Sequence, residues 1–161
     1  MPKLSIIVPV YFNESNLPTT IPELQQTLTA MKDIEGEIVC IDDGSKDTSY
    51  SILKDFAARD PRIKIIRLAR NFGAHIALLA GLDHATGDCL TFIMADLQDP
   101  PALIPQMVKA WRDGFKIVLA NRETRGDAFI DRLFASIFWW FMRHFALQEI
   151  PKGGFDFTLF D

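Results

Sequence analysis

Two cysteines, three histidines and no Gly-rich phosphate loop bound what this 161-residue chain can do. Cys40 and Cys89 lie far apart in apolar runs with no metal-type spacing, so a zinc site and a disulfide framework are both excluded in favour of two reduced buried thiols. No run of basic residues occurs and the net charge is −4, which argues against a nucleic-acid partner. The absence of a dinucleotide-type or Walker-type glycine motif sets aside those nucleotide folds. No stretch reaches the roughly 20 uninterrupted apolar residues of a spanning helix. The nearest, residues 133–147, is too short and carries Arg143 and His144. No repeat, low-complexity tract or linker is visible. The opening Met1-Pro2-Lys3-Leu4 runs straight into a strand pattern, from which no signal peptide is expected.

What is present is a regular alternation. Residues 4–10 form a continuous apolar run, as expected of a strand buried on both faces. Leu17, Ile21, Leu24, Leu28 and Met31 then recur at helical spacing. Residues 37–41 give a second strand, and Ser45 or Asp47 can cap a helix that turns Ile52, Leu53, Phe56 and Ala57 inward. A third strand at 63–68, a helix at 74–85 and a fourth strand at 89–95 follow. Asp99 reads as an N-cap with Pro100 in the first helical position of a helix through Trp111. A fifth strand is expected at 116–120. The pattern predicts an α/β fold in one domain, residues 1–161, with a mostly parallel sheet flanked by helices. The chain ends inside a strand-like stretch, 157–161, which points to a C-terminally truncated piece.

Sheets of this kind bind ligands beyond the carboxyl ends of their strands, and a polar cluster stands after each predicted strand. These are Tyr11-Phe12-Asn13-Glu14, Asp42-Asp43-Gly44-Ser45, Arg70-Asn71-Phe72-Gly73, Asp96-Leu97-Gln98 and Asn121-Arg122. Asp96 and Gln98 are two apart, so in extended backbone their oxygens point the same way. That suits a hard cation, Mg2+ or Mn2+, shared with a ligand's diphosphate. Arg122, Arg125 and Arg132 could neutralise remaining phosphate charge. Asp42 could accept a nucleobase N–H, with Tyr11 bordering the same pocket. Each cluster alone also fits a plain role, Asp42 to Ser45 as a turn and Asp99 as a cap.

The ordered set Ser5-Ile6-Ile7-Val8-Pro9-Val10-Tyr11 with Asn13-Glu14, Ile41-Asp42-Asp43-Gly44-Ser45, Asn71-Phe72-Gly73 with residues 80–85, and Ala95-Asp96-Leu97-Gln98-Asp99-Pro100-Pro101 resembles the family 2 inverting glycosyltransferases of the GT-A fold. The nearest subgroup is the polyprenyl-phosphate glycosyltransferases, similar to dolichol-phosphate mannosyltransferase and the bactoprenol glucosyltransferases. The resemblance covers nearly the whole chain. It implies a membrane-associated enzyme of the cell envelope, a hexosyltransferase moving a sugar from a nucleoside-diphosphate sugar to a polyprenyl phosphate with inversion. It implies that Pro9, Tyr11, Glu14 and Asp42 hold base and ribose, and that Asp96 and Gln98 meet metal and diphosphate. Arg122 and Arg132 match basic positions contacting donor or lipid phosphate, and Asp156 matches an acidic position near the reacting centre. A UDP-sugar is favoured over a GDP-sugar. The family usually shows Asp-Ala-Asp where this chain has Met94-Ala95-Asp96. That departure keeps open a second reading, a nucleotide-sugar binding module without turnover. Residues 127–147 suit either burial against the core or a helix in the membrane interface with Trp139 and Trp140 at headgroup level. The expected location is the cytoplasmic face of the membrane, peripherally bound.

Overall fold

The computed structural model describes residues 1–120 and 157–161. Among the described residues six strands form one sheet: β1 Lys3–Val10, β2 Glu35–Asp42, β3 Ile63–Arg67, β4 Cys89–Phe92, β5 Ile117–Ala120 and β6 Phe157–Phe160. Their order is β3-β2-β1-β4-β6-β5. The first four run parallel, with Val8 opposite Cys40 and Ile6 opposite Thr91. The strand expected at the chain's end is present, inserted between β4 and β5 and antiparallel to both.

Alternation along β1 divides the core. Ile6, Val8 and Val10 face three helices: α1 Leu17–Ala30, α2 Ser49–Ala57 and α4 Ile104–Arg112. Ile7 faces the other way, packing with Val39, Ile41 and Ala77 under α3 Ala74–His84. The helical spacing read from Leu17 to Leu28 is the buried stripe of α1. On α3 the close approach to the sheet demands a glycine: a Cβ at Gly81 would stand 2.4 Å from Cγ2 of Ile7. Cys40 and Cys89 are free and buried, and burial pushes both thiols up to about 12, which makes them poor nucleophiles.

Two expectations are corrected. The fourth strand stops at Phe92 rather than residue 95, because the chain turns where the Leu97 N–H meets the Met94 carbonyl at 3.0 Å. Asp99 does not cap a helix starting at Pro100. Pro101 holds Pro100 in extended backbone (ψ 121°), a short 3-10 turn covers Pro101–Leu103, and α4 begins at Ile104 with Pro105 in its first turn.

Candidate functional site

The strand order reverses between β1 and β4, and the carboxyl ends of these neighbours open a crevice there. A cleft of about 230 Å³ occupies that position, lined by β1 (Pro9, Val10), the following loop (Tyr11, Asn13), Asp43, the start of α3 with Asn71 and Gly73, and Met94-Ala95-Asp96. Pro9 at the end of β1, Tyr11 in the loop after it and Asp96, 85 residues beyond Tyr11, are thus brought together.

The wall after β2 is built from buried acids. Asp43 is 2% exposed; its Oδ1 accepts the Phe72 N–H at 2.8 Å and its Oδ2 the Gly73 N–H at 2.9 Å. Gly44 lets this loop cross the next one closely: a Cβ there would meet the Arg70 backbone at 2.6 Å, at a φ of +70°. Asp42 is fully buried and does not line the cleft. Its Oδ1 accepts the Ser45 N–H at 3.1 Å, and its Oδ2 lies 3.0 Å from Arg67 Nε. That second contact pairs the charges without the alignment of a hydrogen bond. Arg67 in turn lies over the Tyr50 ring, 4.2 Å from its centre.

Glu14 also stands outside the cleft lining. Its Oε2 accepts the Thr48 N–H at 2.9 Å and the Thr48 hydroxyl at 2.6 Å, which holds its carboxyl below the usual range. Asp47 accepts from the N–H of Ser49 at 3.0 Å, but the N-cap of α2 is Thr48 and it makes no side-chain cap bond, so the cap expected of Ser45 or Asp47 is corrected: Asp47 ties down the first helical N–H from one residue outside the cap. These bonds fasten the loop after β1 to the start of α2.

On the β4 side, Asp96 is exposed at the cleft rim, and its Oδ2 accepts from the Gln98 side-chain amide at 2.8 Å. Met94 is 42% exposed and lines the same cleft. Phe12 and Leu97, in the loops after β1 and β4, have φ of 52° and 55°. Non-glycine residues in that left-handed region are uncommon and collect at functional sites. Asn13, Asp43 and Asn71 are cleft residues that sequence reading does not single out. The signal was there, since each lies in one of the clusters after strands one to three. Arg122, Arg125, Arg132, Asp156 and residues 127–147 lie outside the described residues.

The donor set decides whether a divalent cation suits the place. Among the described residues no group of three His, Cys, Asp or Glu side chains could hold a metal ion. Asp96 supplies one carboxylate and Gln98 one amide. That is a fit for a hard cation that keeps most of its shell as water and ligand phosphate, and a poor fit for a tightly held structural ion.

A mostly parallel sheet with a polar cleft at its switch point defines an α/β domain of the GT-A kind. The chain belongs to glycosyl transferase family 2, whose family model matches residues 5–158. It is 42% identical over 160 residues to an uncharacterized glycosyltransferase of Synechocystis, covering 99% of this chain and 50% of the relative. A prophage bactoprenol glucosyl transferase homolog of Escherichia coli is 39% identical over 161 residues, 98% of this chain and 51% of the relative. The chain therefore spans about half the length of these curated relatives. The mannosyltransferase PcManGT from Pyrobaculum calidifontis, in complex with GDP-Man and Mn2+, shares the fold with a TM-score of 0.68 at 20% identity, over 99% of this chain and 44% of that one. TarS of S. aureus in complex with UDP-GlcNAc gives a TM-score of 0.52 at 25% identity, over 78% of this chain and 37% of that one.

Proposed function

We propose that this chain is the donor-binding and catalytic part of an inverting glycosyltransferase that moves a hexose from a nucleoside-diphosphate sugar to a polyprenyl phosphate. The observation that carries the reading is the convergence of Pro9, Tyr11, Asp43 and Asp96 on one cleft at the switch point. The similarity to bactoprenol glucosyl transferases supplies the acceptor class, and a UDP-sugar is favoured on the same ground.

In this reading Pro9 and Tyr11 border the nucleoside, while Glu14 and Asp42 act from behind by fixing the loops that carry it. Asp96, steadied by Gln98, stands at the diphosphate and would hold Mg2+ or Mn2+ there. Such an ion supplies Lewis-acid stabilisation of the departing diphosphate, worth several kcal/mol. The acceptor is a phosphate monoester, largely anionic at neutral pH by analogy with phosphorylated side chains, so it needs no strong base. The chain's own task is to hold donor and acceptor for in-line attack, with charge opposed to the leaving group. Arg122 and Arg132 are assigned to donor or lipid phosphate and Asp156 to orienting the acceptor, by resemblance. The enzyme works at the cytoplasmic face of the membrane, where its lipid acceptor lies. Residues 1–161 act as one domain.

The test is sugar transfer to a short polyprenyl phosphate by the wild type, Asp96→Ala and Asp156→Ala. Loss of at least a hundredfold in each variant is expected if they stabilise the transition state by about 3 kcal/mol. Near-native rates in both would sink the assignment. Met94 supports one alternative, because it stands at the rim of the cleft where a second carboxylate would serve the metal. Metal-dependent donor binding without transfer would favour a binding module.

A further inference from the structure

Thr20 occupies a place in α1 that the helix pattern reserves for an apolar residue. Its neighbours on the buried stripe, Leu17, Ile21 and Leu24, are fully buried, and Thr20 itself is 1% exposed. Its Oγ1 lies 2.6 Å from the carbonyl of Ala95 and 3.1 Å from the carbonyl of Asn16 in its own helix. A hydroxyl has one proton to donate, and the shorter contact receives it. The bond therefore ties α1 to the residue directly before Asp96, across 75 positions of sequence.

The consequence follows from peptide geometry. In a planar trans peptide the carbonyl of one residue and the N–H of the next point in opposite directions. Thr20 draws the Ala95 carbonyl toward α1. The Asp96 N–H is thereby turned away from α1, and Ala95 and Asp96 line the cleft together with Ala74 and Ala77 of α3. Among the described residues that N–H meets no acceptor. Ala95 is 2% exposed, which keeps solvent from competing with Thr20 for its carbonyl.

We propose that Thr20 is a positioning residue for the donor: by holding the Ala95 carbonyl it presents the Asp96 N–H to a diphosphate oxygen and sets the Asp96 carboxylate beside it. This rests on the reading of the cleft as a nucleoside-diphosphate site and names how that site grips the second phosphate. A main-chain N–H donating to an anion is a charge-assisted bond that cannot be lost to a side-chain rotation.

The experiment compares UDP and GDP with UMP and GMP, each with Mg2+, by calorimetry on the purified wild type, Thr20→Val and Thr20→Ser. Valine keeps the shape and removes the donor; serine keeps the donor. Thr20→Val is expected to weaken diphosphate binding about tenfold while monophosphate binding changes less than twofold, and Thr20→Ser is expected to bind like wild type. Equal losses for mono- and diphosphates, no loss at all, or the same loss in the serine variant would overturn the proposal. A second measurement needs no variant. In 15N-labelled wild type the Asp96 amide proton is expected to move downfield on adding UDP or GDP with Mg2+, and to stay when UMP or GMP replaces it. An unmoved Asp96 amide in a protein that binds the diphosphate contradicts the proposal alone, whereas wild type that binds no nucleotide contradicts the underlying reading.

Discussion

Asp43 Oδ1 accepts the main-chain N–H of Phe72 at 2.8 Å, and its other oxygen takes the next N–H, so one buried carboxylate holds the loop before α3 against the cleft. Asp43→Asn turns one of these acceptors into a donor facing an N–H. Leaving a buried donor unpaired costs about 1–3 kcal/mol. Urea unfolding is expected to shift to a lower midpoint by that amount with an unchanged slope, and nucleoside-diphosphate affinity to fall about tenfold. A variant as stable as wild type would show that the loop is held by other means.

Met94→Asp tests what the missing carboxylate does. The side chain is 42% exposed at the cleft rim, two residues before Asp96. A second negative oxygen set there is expected to raise Mn2+ affinity in the presence of UDP or GDP about tenfold, since ligand charge tunes such sites. Titration of Mn2+ by electron paramagnetic resonance reads this directly. Unchanged affinity would mean that position 94 does not face the ion.

Far from the cleft, Glu37 sets an acid limit on stability. Burial pushes its carboxyl up, but Lys3, Lys64, Ser5 and Thr86 all donate to it and together hold it down at about 2, from an ordinary 4.5. Its Oε2 lies 2.7 Å from Lys3 Nζ and 2.8 Å from Lys64 Nζ. A carboxyl lowered in the folded state stabilises fully above its unfolded value and loses that contribution as pH falls through the folded one. Unfolding free energy is therefore expected to decline from about pH 4.5 to about 2. Glu37→Gln should flatten that decline and lower stability at pH 7 by about 3 kcal/mol. An unaltered pH profile in the variant would contradict the role. Asp60, held well below the ordinary range by Arg62, adds its own loss further down the scale.

Much of this was legible in the sequence because period and position are strong signals. The continuous apolar run of β1 and the 17-21-24-28 spacing of α1 required both elements, and the clusters after each strand required a rim. What escaped depends on contacts distant in sequence. Pro9, Tyr11 and Asp96 share the cleft, but Asp42 and Glu14 are spent on Arg67, Ser45 and Thr48, and no spacing rule distinguishes Asp42 from Asp43. The doublet turns at the strand's end, so one acid goes inward to Arg67 and the next reaches the loop before α3. Two adjacent prolines likewise moved the start of α4, a local effect that the cap signal of Asp99 masked. The antiparallel placement of β6 has no local signature at all.

The most direct test of the account is calorimetric titration of UDP- and GDP-sugars into wild type and Asp96→Ala, with and without Mg2+ or Mn2+. The account predicts that wild type binds one of these donors at least tenfold more tightly with the ion present, and that Asp96→Ala loses this gain while keeping the weaker ion-independent binding. Donor binding that is indifferent to the ion, or equally ion-dependent without Asp96, would contradict it.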